Sequence, residues 1–220
     1  MTACLVCKAT ERLARLALVA LVCLAAPASA AGLEPAWSLG ISGGTTHFDT
    51  HLADYQWNLS PRPAWGAQAG ASLGRVGLAL RASTSSATQH VDASVPDPVV
   101  RVTTIDLAGE FEAARPFGFA LLPRASAGRV ALTYSPDHAE IATGSGSMSV
   151  ELSPVHAWSW GIGAAVRREL ASRWSATLAF ERQAFAFDTA HRTGSTVTVA
   201  SEAFGNWNGR FELARVFGTR

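Results

Sequence analysis

Beyond residue 35 the chain alternates between large apolar and small or polar residues with a period of two, and it does so in eight separate segments. That period is the mark of strands with one face apolar and the other not. In the first segment Trp37, Leu39 and Ile41 oppose Ser38, Gly40 and Ser42. The second sets Trp65, Ala67, Ala69, Ala71 and Leu73 against Gly66, Gln68, Gly70 and Ser72, and the third sets Val76, Leu78, Leu80 and Ala82 against Gly77, Ala79, Arg81 and Ser83. Ile105, Leu107 and Phe111 alternate with Asp106, Glu110 and Glu112 in the fourth, and Phe119, Leu121, Pro123, Ala125 and Ala127 with Arg124, Ser126 and Gly128 in the fifth. The sixth places Trp158, Trp160, Ile162, Ala164 and Val166 opposite Ser159, Gly161, Gly163 and Arg167. Trp174, Ala176, Leu178 and Phe180 form the apolar face of the seventh, and Trp207, Phe211, Leu213 and Phe217 that of the eighth. Each segment has about the 9–11 residues that a tilted strand needs to cross a bilayer.

The connections alternate too. Gly74-Arg75, residues 113–118 and residues 169–173 are short, whereas residues 46–63, 85–100, 134–154 and 188–206 are long and polar. Short turns at one end and long loops at the other characterise outer-membrane barrels, whose long loops lie outside the cell. The Thr143-Gly144-Ser145-Gly146-Ser147 run predicts a mobile third loop. The expected fold is all-β: an eight-stranded antiparallel up-and-down transmembrane β-barrel.

The charges decide which face is inside. A soluble ligand-binding barrel would put apolar residues inward and charges outward. Here Arg81, Arg124, Arg167 and Arg210 share a face with Asp106, Glu110, Glu112, Glu181 and Glu212. Eight strands enclose just enough room for side chains to fill, so these groups are expected to form a lumen plug of charge-assisted pairs. An ion pathway along them is the less favoured reading. On the opposite face Trp37, Phe111, Phe119, Trp174 and Phe217 gather near the short turns, and Trp65, Trp158, Trp160, Phe180 and Trp207 toward the long loops. Two such girdles flanking an aliphatic band match the two interfaces of a bilayer.

Targeting adds to this picture. Lys8, Arg12 and Arg15 precede an apolar run, and Ala28-Ser29-Ala30 offers small residues for cleavage, so residues 1–30 read as a removed secretory signal peptide and 31–220 as the barrel domain. All three cysteines, Cys4, Cys7 and Cys23, fall in that leader, which leaves the barrel without disulfides or thiolate metal sites. Beyond it, 15 arginines face 16 carboxylates with no basic stripe, so nucleic-acid binding has no footprint. No stretch of eighteen apolar residues remains for a transmembrane helix.

The hairpin from Trp158-Ser159-Trp160-Gly161-Ile162-Gly163 through Arg168-Glu169-Leu170 to Arg173-Trp174-Ser175, together with the terminal Asn208-Gly209-Arg210-Phe211-Glu212-Leu213-Ala214-Arg215-Val216-Phe217, resembles the OmpA/OmpX-like family of small outer-membrane β-barrels. The resemblance spans residues 36–217 and implies an integral protein of the bacterial outer membrane. It also implies recognition of the last strand by the barrel-assembly machinery, with Phe217 as the terminal aromatic. Here Gly218-Thr219-Arg220 follow that residue, and Arg215 stands where family members carry a second aromatic.

Some barrels of this kind deacylate lipid A with a His-x-Ser pair. None of His47, His51, His90, His138, His156 and His191 is followed by serine two places on, so no catalytic residue and no enzymatic activity is expected. The loop histidines lie near carboxylates but without the spacing of a metal site, and neither metal nor cofactor is expected. Arg129, His156 and Arg182 fall on the outward parity of neighbouring strands near the long-loop rim, where they are expected to meet lipopolysaccharide phosphates. The functional expectation is a non-enzymatic barrel that displays loops for surface contact with host or other ligands and supports envelope integrity, in contact with outer-membrane lipids. A lipid A-modifying enzyme and a narrow solute pore are the alternatives.

Overall fold

A computed structural model describes residues 35–48, 61–89, 97–143, 146–170, 173–193 and 196–217. The leader assignment therefore lies outside the described residues, as do His51 and His90. Among the described residues there are ten strands: β1 (Ala36–His47), β2 (Arg62–Leu73), β3 (Val76–Thr88), β4 (Val99–Phe111), β5 (Phe119–Ser135), β6 (His138–Thr143), β7 (Gly146–Glu151), β8 (Val155–Leu170), β9 (Trp174–Thr193) and β10 (Thr196–Phe217). Eight of them close into a barrel in the order β1-β10-β9-β8-β5-β4-β3-β2, every neighbour antiparallel. Only β6 and β7 stand apart, as a two-stranded hairpin. The up-and-down barrel read from the eight alternating segments is the observed fold.

Register fixes the tilt. The path of paired residues runs from His47 through Trp207, Arg182, Ile162, Ala125, Gly109, Leu78 and Ala71 to Trp37, ten residues from its start on β1. A stagger of that size in an eight-stranded barrel goes with strongly tilted strands and an interior filled by side chains. Pro123 fits because the β4 pairing of β5 stops at Arg124, one residue short of the proline that has no N–H to offer. The β2–β3 turn is tight because Gly74 adopts a left-handed φ of 58°.

The long-loop end departs from expectation. β5 has 17 residues, β8 16, β9 20 and β10 22, well past what a bilayer requires. Residues 188–193 and 196–206, expected as part of a loop, continue the ladder up to the pair Thr193–Thr196. Residues 134–154, expected as a loop, contain the β6–β7 hairpin, closed at its base by a 2.6 Å hydrogen bond from Leu152 N to the Asp137 carbonyl; Gly144 and Ser145, in the run expected to be mobile, lie outside the described residues. Polar composition concealed these strands: Thr, Ser and Val suit solvated pleated ribbons as well as loops.

Side chains divide by parity. Trp37, Leu39, Ile41, Trp65, Leu80, Ile105, Leu107, Trp158, Leu178, Phe180 and Phe211 all project outward and are exposed, at 43–67 % of their full surface. An array of this extent would be untenable in water. Trp174, Phe119 and Phe217 mark the short-turn rim, and Trp65, Trp158 and Trp207 the long-loop rim. The buried polar residues sit on the opposite parity, inside.

Candidate functional site

Inside the short-turn half of the barrel, inward positions on six strands converge on one charge network. Arg81 on β3 donates from Nε to Asp106 on β4 at 2.6 Å, and from both terminal nitrogens to Glu181 on β9 at 2.9 and 3.1 Å. Glu181 also accepts from Arg210 on β10 at 2.7 Å and from the Ser126 hydroxyl. Arg124 on β5 forks onto Glu212 on β10 at 2.7 and 2.9 Å and reaches Glu110 with Nε at 3.1 Å. Glu110 in turn accepts from Arg167 on β8. Four guanidinium groups and four carboxylates balance, and bidentate pairing with additional donors is what makes such burial tolerable. Small residues make the room. A Cβ on Gly161 would collide with the Glu181 carboxylate and the Ser126 hydroxyl, and one on Gly77 would meet the Glu110 side chain.

Eight of the nine residues expected in the lumen meet in this network. Glu112 does not. It follows the last residue of β4, lies at the short-turn rim, and accepts from Arg115 at 2.8 and 2.7 Å, while Arg115 also reaches Glu169 at 3.2 Å. These hydrogen bonds hold the Glu112 carboxyl below the usual carboxylate range. Glu112 lies one residue beyond the strand end, where Arg115 of the β4–β5 connection takes its carboxylate in place of the lumen arginines.

The space left among these groups is small. One cavity of about 40 Å³ is lined by Ser38, Gln68, Ser72, Arg124, Arg167 and Thr177. Another of about 20 Å³ is lined by Thr46, Ser85, Thr104, Gln183 and Asn208. Volumes of this size hold one or a few waters.

Above the network, toward the long loops, the inner face changes character. A polar layer comes first, with Thr46 donating to Asn208 at 2.8 Å and Gln183 to Thr104 at 3.4 Å. Beyond it Phe48, Val100, Val102, Val130, Leu132, Phe185, Phe187 and Phe204 pack into an apolar cluster, with Tyr134 and Val155 against it. The three β9–β10 phenylalanines have ring centroids 5.1–5.9 Å apart. This inner plug was not foreseen. Its signal was present in Phe185-Ala186-Phe187, where the alternation continues unbroken while the large residues move to the inward parity.

On the outer wall, Arg129 on β5 lies over the Trp158 ring on β8 at 5.1 Å, and Arg182 on β9 over the Trp207 ring on β10 at 5.2 Å. His156 is exposed on the same wall, paired in register with Ala131. None of the three points into the lumen. Arg168 over Phe119 at 5.0 Å and Arg215 over Phe217 at 5.5 Å repeat the motif at the short-turn rim, and parity alone did not single them out. His138 lies 3.0 Å from the Asp137 carboxylate in an exposed pair. Among the described residues no group of three histidine, cysteine or acidic side chains gathers as a metal site would.

A closed barrel with charges inside, an apolar wall outside and aromatic girdles at both rims defines the class: an outer-membrane-type β-barrel that spans the membrane with eight strands. No protein-family profile and no curated protein matches the chain. Among solved structures it is similar to a major outer membrane protein from Thermus thermophilus, at 9 % identity and a TM-score of 0.52 over 84 % of this chain and 100 % of that one. It also matches Ail, the attachment invasion locus protein of Yersinia pestis solved with a heparin analogue, at 11 % identity and a TM-score of 0.47 over 84 % of this chain and 100 % of that one. A third match is the outer membrane protein AlkL, at 11 % identity and a TM-score of 0.46 over 85 % and 91 % of the two chains. The likeness to the Thermus protein is one of fold.

Proposed function

We propose that this protein is a non-enzymatic barrel of the outer membrane that presents its long-loop end for contact with external surfaces and thereby contributes to envelope integrity. The observation that carries this reading is the filled interior. Ion pairs occupy the lower lumen and an apolar cluster the upper, so activity falls to what projects beyond the membrane. That is the β6–β7 hairpin and the extended β9–β10 ribbon, both rich in Ser and Thr in sequence.

The test compares cells carrying the full protein with cells in which residues 138–151 are replaced by a short turn. Attachment to protein-coated surfaces and to epithelial monolayers is expected to drop with the hairpin removed, while the folded barrel persists by its heat-dependent gel migration. Unchanged attachment would remove the hairpin from the proposal. A changed lipid A acylation pattern in cells lacking the protein would favour the enzymatic alternative instead.

A further inference from the structure

The outer wall has a charge imbalance that the membrane-spanning fold does not explain. On the outward parity of the barrel strands the arginines with described side chains are Arg101, Arg129, Arg168, Arg182 and Arg215, and the only carboxylate among the described side chains there is Asp188, high on the β9 ribbon. In the lower lumen four guanidinium groups and four carboxylates pair with one another; the wall is cationic. Arg129 and Arg182 belong to the long-loop rim. They sit two strands apart with β8 between them, and the strand tilt brings them to within roughly two residues of the same height. Each guanidinium lies over a tryptophan ring at cation–π distance. Arg182 Nε is buried and has no hydrogen-bond partner among the described residues. His156 adds an imidazole on the intervening strand.

We propose that Arg129 and Arg182, with His156 two residues above Arg129 in the β5–β8 register, form a binding site on the outer wall for the phosphate groups of a phosphorylated glycolipid in the outer leaflet. The occupant follows from the chemistry. A site inside the lipid boundary is reached by lipids, planar guanidinium groups fork onto phosphate oxygens, and no described carboxylate of the wall competes at this height. The matching arginines at the short-turn rim, over phenylalanine, serve as interfacial anchors and as an internal control. This inference rests on the membrane-spanning fold and is independent of the surface-contact reading.

The experiment uses the full-length protein folded in phosphatidylcholine nanodiscs and titrated with fluorescent bisphosphorylated lipid A. Arg129→Gln/Arg182→Gln is expected to weaken retention about tenfold, the equivalent of losing one charge-assisted hydrogen bond. Arg168→Gln/Arg215→Gln, with the same loss of charge at the other rim, is expected to match the wild type. Lipid A stripped of both phosphates is expected to bind the wild type as weakly as the intact lipid binds the upper double variant. Heat-dependent gel migration verifies folding, and the phosphate-stripped arm on the wild type decides the matter even if a variant does not fold. Equal retention of stripped and intact lipid A, undiminished retention in the upper variant, or equal loss in both variants overturns the site.

Discussion

The two halves of the lumen are built from the same strands and the same inward parity, yet one is ionic and the other apolar. In the lower half Glu181 and Glu212 are almost completely buried, each held by a guanidinium fork. In the upper half Phe185, Phe187 and Phe204 occupy the same inward positions on the same strands a few residues further along. The lower half lies within the height of the apolar outer wall, where backbone and side chains have no water to fall back on. There a narrow pleated interior with room for only a few waters holds its charged groups in pairs. The upper half rises past that wall into solvent, and its inner face closes as any soluble core does, by burying aromatic and branched side chains. The barrel is thus a membrane protein below and a small soluble β-domain above, joined by a thin polar layer at Thr46, Thr104, Gln183 and Asn208.

The sharpest way to break this contrast is to remove the hub of the lower half. Glu181→Ala leaves Arg81 and Arg210 without their shared acceptor and is expected to destabilise the folded barrel by about 3–5 kcal/mol in urea titrations from lipid vesicles. A loss below about 1 kcal/mol, the range of an exposed pair, would place Glu181 in water and dissolve the distinction. The upper half should respond to lost volume instead of lost charge. Phe204→Ala is expected to cost about 3 kcal/mol through the cavity it opens, with the loss of protection confined to the long-loop end in hydrogen exchange. Spread of that loss to the short-turn half would join the two regions into one cooperative unit.

A smaller change probes the fit of the network. Gly161→Ala pushes a methyl group against the Glu181 carboxylate and is expected to cost about 1–3 kcal/mol by overpacking, measured by the same titration. The smallest effect belongs to the rim. Glu112 is partly exposed, and Glu112→Gln is expected to cost less than about 1 kcal/mol. Its carboxyl is depressed in the folded state, so the contribution is present above the unfolded carboxylate range. It fades as pH falls through the lower folded value. A pH titration of stability in which Glu112→Gln differs from wild type at neutral pH and converges with it in acid checks the sign.

How much of this was readable beforehand follows from the same physics. Period-two patterning is clear wherever one face meets lipid, because outward residues between the two rims are apolar and the outward arginines Arg129, Arg168, Arg182 and Arg215 stand at the rims. For that reason the eight strands, both aromatic girdles and eight of the nine lumen charges could be read from spacing alone. Above the membrane the outward face meets water, Ser and Thr are allowed there, and the constraint that made the pattern legible disappears. The long β9–β10 ribbon and the β6–β7 hairpin looked like loops for that reason, and Phe185, Phe187 and Phe204 escaped notice as a core. Glu112 was misplaced by one residue of extrapolation past Phe111. The outward parity of Arg129, His156 and Arg182 was visible; the tryptophan faces beneath the two arginines required the register between strands.

Ion pairs fill the lower lumen and an apolar cluster the upper, and conductance tests most directly whether a passage remains. The full-length protein, refolded and reconstituted into planar phospholipid bilayers in symmetric salt at neutral pH, is expected to insert without opening discrete conductance steps. Glu181→Ala and Phe204→Ala are expected to stay closed when introduced singly, because each leaves the other half of the lumen filled. Regular ohmic steps from the wild-type protein would contradict the account, since no passage of that kind fits among Arg81, Arg124, Glu181 and Glu212 as they are arranged here.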